Sequence, residues 1–187
     1  NGTDERYQLI LVNDGSGDDT EKICLNYQQR YAEKIQYIYQ ENRGLGGARN
    51  TGMKFVDTPY VSFLDSDDWL MPQYVEKIAY YVEQNRNVEI IMVLPQIFHE
   101  GSRVVKAWYD KPLFEQIFPE NGYIINPSEC PGVYRLEVNF CRKIYKTEFV
   151  RAIRFEFREK IKWEDVHPHF YLLSSCTSCM GIGEVGF

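Results

Sequence analysis

Three carboxylates in four residues, Asp65, Asp67 and Asp68, follow directly on the short apolar run Val61-Ser62-Phe63-Leu64. Like charges at that spacing repel one another unless a cation or a donor-rich ligand sits among them. In an open α/β sheet, ligands bind beyond the carboxyl ends of the strands, which is where this cluster falls. Hard carboxylate oxygens suit Mg²⁺ or Mn²⁺, with phosphate oxygens completing the shell. An acidic turn with Asp68 capping the next helix is an equally simple reading, and spacing alone does not separate the two. A calcium loop is excluded, because Trp69 stands at the third ligand position and the turn glycine is missing. Asp14-Gly15-Ser16 repeats the pattern: an acid at a strand end, able to accept hydrogen bonds from a ribose hydroxyl or a base N–H. Taken alone, that triplet reads as a turn.

Gly44-Leu45-Gly46-Gly47-Ala48-Arg49-Asn50 comes near two nucleotide motifs and matches neither. Arg49 occupies the third small-residue position of the dinucleotide fingerprint, and Met53 stands where a phosphate loop carries its lysine. What survives is a glycine turn at a helix start, with backbone N–H groups and Arg49 available to an anion or a base. Trp163-Glu164-Asp165 precedes a helical run containing Val166, Phe170, Leu172 and Leu173. Acids at a helix N-terminus are favoured by its dipole, so a cap is the default reading and a general base the alternative. His167 and His169 flank Pro168 and read as surface histidines rather than metal ligands. The cysteines (24, 130, 141, 176 and 179) are odd in number and scattered, which excludes a disulfide framework and points to a reducing cytoplasm. Cys176 and Cys179 lack the second pair that a zinc site would need and read as ordinary thiols.

These groups need a scaffold, and the chain alternates strand and helix to supply one. Strands are expected at 7–13, 35–40, 59–64 and 88–94, with helices from 18–20 onward, over 48–56 and after Pro72, where Val75, Ile78, Ala79 and Val82 form one face. That order predicts an α/β fold with a mostly parallel sheet and helices on both faces. Beyond Pro95 the rhythm is irregular: strands at 103–108 and 136–145, short helices at 113–118 and 147–153, a Pro- and Gly-containing loop over 119–132, and a last helix over 164–173. The 187 residues carry 44% hydrophobic and 26% charged side chains, the composition of one globular domain. A net charge of −6 and a pI near 5.2 exclude a nucleic-acid binder, which needs a basic surface. No apolar run approaches the ~18 residues of a membrane span.

The ordered set decides what single motifs leave open. Leu9-Ile10-Leu11-Val12-Asn13-Asp14-Gly15-Ser16, then Glu41 to Gly52, then Val61 to Asp68, then Trp163-Glu164-Asp165 resembles glycosyltransferase family 2, over nearly the whole chain. The resemblance implies a GT-A fold and an inverting, metal-dependent transfer of sugar from a nucleotide-diphospho-sugar, a UDP-sugar, to a saccharide or lipid-linked saccharide acceptor in bacterial surface polysaccharide assembly. It implies that Asp14 contacts the uracil or ribose, that Arg49 with Gly46 and Gly47 lines the nucleotide pocket, and that Asp65 reaches the ribose or diphosphate. Asp67 would ligate Mg²⁺ or Mn²⁺, and Asp165 would be the general base. Residues 141–145 look like the strand that precedes an acceptor-facing helix in relatives. The family opens with a strand and helix that nothing upstream of Asn1 supplies and continues past the last helix, so an interior part of a longer protein is expected. Peripheral contact with the inner face of the membrane would then come from segments outside this chain. Two alternatives stay open, a non-catalytic nucleotide-sugar binding module and a sugar-phosphate nucleotidyltransferase.

Overall fold

The computed structural model describes residues 6–99 and 104–183. The chain divides into two compact units, Asn1–Pro59 with Arg154–Glu164, and Tyr60–Ile153 with Asp165–Phe187.

In the first unit, β1 (Leu9–Asp14), α1 (Thr20–Arg30) and β2 (Ile35–Gln40) form a β-α-β crossover, with the strands parallel from Leu9↔Ile35 to Asp14↔Gln40. Ahead of α1, the Asp18 carboxylate accepts the Thr20 N–H at 3.0 Å and the Thr20 hydroxyl at 2.5 Å, closing the turn after β1. Those bonds hold the Asp18 carboxyl below its ordinary value. Helix α2 (Gly44–Met53) packs on β1. The sequence placed a glycine turn before this helix; instead the glycines are its first turn. Gly44 enters at φ +76°, a left-handed conformation that suits glycine. Both Gly46 and Gly47 stand where a side chain has no room: a Cβ on Gly46 would lie 2.3 Å from the Arg158 carbonyl oxygen, and one on Gly47 would lie 2.4 Å from the Arg43 Cβ.

The second unit contains β3 (Tyr60–Ser62), α3 (Tyr74–Gln84), β4 (Ile90–Val93), the hairpin β5 (Gln96–His99) and β6 (Val104–Ala107), α4 (Lys111–Ile117), β7 (Tyr123–Ile125), β8 (Lys143–Lys146), α5 (Thr147–Ala152), α6 (Val166–Ser175) and β9 (Cys179–Ile182). Five of these strands form one sheet in the order β3-β8-β4-β9-β7. β3, β4 and β9 run one way; β8 and β7 run against them. The α/β class expected from the sequence is therefore present, with a mixed sheet in this unit. Ile90, Ile91, Met92 and Val93 are each 0% exposed, the mark of a strand covered on both faces. Val75, Ile78 and Val82 of α3 lie on that core beside Ile144, Met180 and Ile182.

Several boundaries differ from expectation. The stretch 136–145 is a strand only from Lys143, because the chain before it curls around a buried side chain described below. β5, β7 and β9 were not anticipated, and β7 lies inside the stretch read as a loop. Pro72 falls outside the first turn of α3, since Gln73 ahead of that helix is left-handed at φ 70°. Among the described residues, no helix is long and apolar enough to cross a membrane.

Candidate functional site

In the first unit, Asp14 ends β1 with its carboxylate fixed from two sides. Its Oδ1 accepts from Gln40 Nε2 at 2.5 Å and from the Arg43 N–H at 2.8 Å, while Asn42 Nδ2 reaches its carbonyl at 3.0 Å. The parallel register sets Gln40 directly opposite Asp14, which is why that amide reaches it. Asp14 is therefore a rigid acceptor at a strand end. Ser16 contributes through its backbone, its N–H bonding Asn13 Oδ1 at 2.9 Å.

The glycines of α2 lie against the segment 154–164. Asn50 holds that segment as a paired strand would, donating to the Phe157 carbonyl at 2.9 Å and accepting its N–H at 2.8 Å. Arg43 forms a forked ion pair with Glu159, its Nε 3.0 Å from Oε2 and its Nη2 on Oε1. The pair holds the Glu159 carboxyl below and the Arg43 guanidinium above their ordinary values. Arg49 is 5% exposed, with its guanidinium 5.4 Å from the centre of the Phe157 ring. It is a buried support of the turn as well as a cation near it.

In the second unit, the carboxylates of Asp65 and Asp68 and the thiol of Cys141 lie within 4.8 Å of one another. The antiparallel pairing of β3 with β8 sets Ser62 opposite Ile144, so the chain that follows β3 and the chain that precedes β8 leave the sheet at the same end. The Asp68 N–H bonds the Asp65 carbonyl at 3.1 Å, which folds the acidic turn back on itself. Burial, then the charges of Asp65 and Asp67, raise the Asp68 carboxyl above its ordinary value. A divalent cation would relieve that repulsion, and the two carboxylates, as hard oxygen donors, fit one. Asp67 is exposed and lies outside the converging trio. The Asp68 side chain does not cap α3, which has no side-chain cap.

Asp165 behaves likewise. It stands at the N-terminus of α6 without a side-chain cap bond; instead its Oδ2 accepts the Phe140 N–H at 3.1 Å. The residue that holds Asp165 is thus the chain neighbour of the residue whose thiol meets Asp65 and Asp68. Residues 140 and 141 thus link the α6 acid and the acidic cluster through one turn of chain, a connection that no motif reveals.

Buried charge surrounds this junction. Arg142 is 0% exposed and pairs with Asp110, Nη1 to Oδ2 at 2.6 Å, while its Nε donates to the Val93 carbonyl at 3.2 Å. Burial pushes the guanidinium down, and Asp110 partly offsets it. Lys143 is 1% exposed, and burial followed by the Arg142 charge brings its ammonium down to about 7, against the opposing pull of Asp165. His169, expected at the surface, is 1% exposed because α6 buries the face holding Pro168, His169, Leu172 and Leu173. Its Nε2 lies 3.3 Å from the Tyr134 carbonyl, and burial then Lys143 depress the imidazole to about 3. His167 is half-buried with its ring stacked on Tyr171. Cys176 and Cys179 are free buried thiols, the first pushed up to about 12 and the second well above its ordinary value, chiefly by burial, which makes both inert.

Sequence reasoning missed Arg43, Asn50, Glu159, Phe140, Lys143 and the Arg142–Asp110 pair. The cue in hand was the run Cys141-Arg142-Lys143 entering an apolar strand, two consecutive cations where a surface strand would alternate.

Comparison with known proteins completes the description. The family model of glycosyl transferase family 2 matches residues 1–141. Glycosyltransferase GlyA of Streptococcus pneumoniae is 43% identical over 178 residues, 92% of this chain and 25% of the relative. The minor teichoic acid biosynthesis protein GgaB of Bacillus subtilis is 39% identical over 97 residues, 52% of this chain and 11% of that protein. The structure of S. aureus TarS 1-349 in complex with UDP-GlcNAc superposes with a TM-score of 0.77 at 18% identity, covering 97% of this chain and 49% of TarS, a likeness of fold. The chain thus spans a quarter or less of these two relatives and about half of the TarS chain. It belongs to glycosyl transferase family 2.

Proposed function

We propose that this chain forms the donor-binding and catalytic part of an inverting glycosyltransferase, which moves a sugar from a UDP-sugar to an acceptor hydroxyl in bacterial surface polysaccharide assembly. One observation carries the reading: Phe140 and Cys141, adjacent in the chain, hold Asp165 and meet the Asp65–Asp68 pair respectively. Family membership, the teichoic acid relative and the UDP-GlcNAc bound by TarS support the same reading.

The roles follow from chemistry. Asp14, a fixed acceptor at the end of β1, takes hydrogen bonds from the uracil or ribose. Gly46, Gly47 and Arg49 line the nucleotide, and Asp65 reaches the ribose or diphosphate. Asp67, with the neighbouring carboxylates, would hold Mg²⁺ or Mn²⁺, which when bound would neutralise charge on the departing diphosphate oxygens. Asp165 takes the proton from the acceptor hydroxyl as that oxygen attacks the anomeric carbon on the face opposite the leaving group. One in-line displacement inverts the anomeric centre without a covalent enzyme intermediate. Lipid-linked saccharides are included in the acceptor class.

Mass spectrometry of products from a panel of nucleotide sugars with Mn²⁺ and mixed saccharide acceptors tests the proposal. An acceptor heavier by one sugar, with release of UDP, is expected. Nucleotide-sugar binding without product would make the chain a binding module. Conversion of sugar phosphate and nucleoside triphosphate to nucleotide sugar would make it a nucleotidyltransferase.

A further inference from the structure

Lys143 opens β8, yet its side chain is not used in the sheet. It is 1% exposed, and its ammonium is wrapped by three successive carbonyls, those of Glu137 at 3.4 Å, Val138 at 3.2 Å and Asn139 at 2.7 Å. An ammonium carries three donors and no acceptor, so three carbonyl oxygens satisfy it. Without that charge inside it, a loop with three carbonyls converging on one buried point has no reason to hold this shape. The next residue in the loop is Phe140. Its N–H points to Asp165 Oδ2 at 3.1 Å, and its carbonyl accepts the Lys143 N–H at 3.2 Å, so the turn closes on the lysine at both ends. Asn139 Oδ1 adds a tie to the Cys141 N–H at 2.7 Å. The direction of the Phe140 N–H, and with it the direction of one oxygen of Asp165, is therefore set by where the Lys143 ammonium sits.

We infer that Lys143 is a positioning residue for sugar transfer: by gathering the carbonyls of residues 137–139 it aims the Phe140 N–H that orients the Asp165 carboxylate toward the acceptor hydroxyl. This rests on the reading of Asp165 as the general base. The lysine touches neither donor nor acceptor. Its contribution is to keep the base in line, where a displacement of about 1 Å costs on the order of 10²-fold in rate.

A double-mutant cycle separates this role from plain core support. Lys143→Met keeps the stem and removes the ammonium; Asp165→Asn keeps the shape and removes the base. Lys143→Met is expected to lower kcat by about 10–10²-fold with UDP affinity within about twofold of the parent. In the Asp165→Asn background the same change is expected to cost almost nothing further, because there is no base left to aim. If Lys143→Met does not fold, Lys143→Gln, which retains amide donors, is taken through the same cycle with the same expected non-additivity. Rate losses that multiply in the double mutant, or an unchanged kcat in the folded lysine variant, overturn the inference while leaving the base assignment intact. Near-normal transfer by Asp165→Asn overturns the base assignment itself, and the inference with it.

Discussion

At the scale of single residues, the candidate site consists of carboxylates, of which Asp14 and Asp165 are held by named N–H donors. Asp165 makes no cap bond and instead accepts the Phe140 N–H. Asn at that position still offers an oxygen to this N–H, so Asp165→Asn should leave the thermal midpoint and UDP affinity nearly unchanged while kcat falls by roughly 10²–10⁴-fold, the usual contribution of a general base. Steady-state kinetics with a matched melting curve checks this; a loss of stability with retained turnover would return the residue to a structural role. The metal assignment has a sharper alternative, because Asp65, Asp68 and Cys141 converge while Asp67 lies outside that group. Calorimetry of UDP with and without Mn²⁺ should show Asp67→Ala losing about tenfold or more of the metal-dependent affinity, roughly 1.4 kcal/mol, with the fold intact. If Asp67→Ala binds normally and Asp68→Ala does not, the ion belongs to the converging trio.

His169 gives a pH signature. Its folded form stays neutral down to about 3, whereas an unfolded histidine titrates near 6.5. Between those values the unfolded chain binds a proton that the folded chain refuses. Its stabilising contribution is thus complete above about pH 6.5 and declines as pH falls through that window, by at most about 1.4 kcal/mol per unit. His169→Gln should flatten the fall in melting temperature between pH 6.5 and 5; an unchanged slope would show that another group sets it.

At the scale of elements, helix α2 shows how a motif can be read correctly and placed wrongly. Its glycines were legible, but as a turn, because the reason for Gly46 is the Arg158 carbonyl more than a hundred residues away. Gly46→Ala drives a Cβ into that carbonyl, so it should cost about 1–3 kcal/mol, the range of overpacked positions, and loosen the Asn50–Phe157 and Arg43–Glu159 ties. Urea denaturation measures the cost, and a neutral substitution would show that the segment yields. The strands and helices up to β4 were legible because each carries its own periodicity and its own turn residues. β9 was not, because its four residues are buried all round, show no alternation and pair with β4 across the chain. The stretch 136–142 was misread as strand for a related reason. Its shape is imposed by the Lys143 ammonium, and no local propensity reports a buried cation. The carboxylates of the site were legible by type and spacing, whereas Phe140, Cys141 and Lys143 were not, since what they do depends on neighbours that only folding supplies.

At the scale of the whole molecule, the chain path divides the candidate residues. Asp14, Gly46, Gly47 and Arg49 belong to the first unit, and Asp65, Asp67 and Asp165 to the second. The chain passes between the units after Pro59, Ile153 and Glu164, and near the last two crossings Arg154 and Trp163 are left-handed at φ 50° and 60°, conformations that ordinary residues seldom adopt. A net charge of −6 works against a polyanionic ligand, so the proposed UDP-sugar would depend on local donors and on the proposed divalent ion. Chelation of divalent ions should therefore lower UDP affinity by about tenfold or more, with full recovery on adding Mn²⁺. Proton NMR of the product made from an α-linked UDP-sugar tests the proposed inverting transfer most directly. One new β-anomeric signal on the acceptor is expected for each UDP released; an α-linked product, or UDP and free sugar with the acceptor untouched, would contradict it.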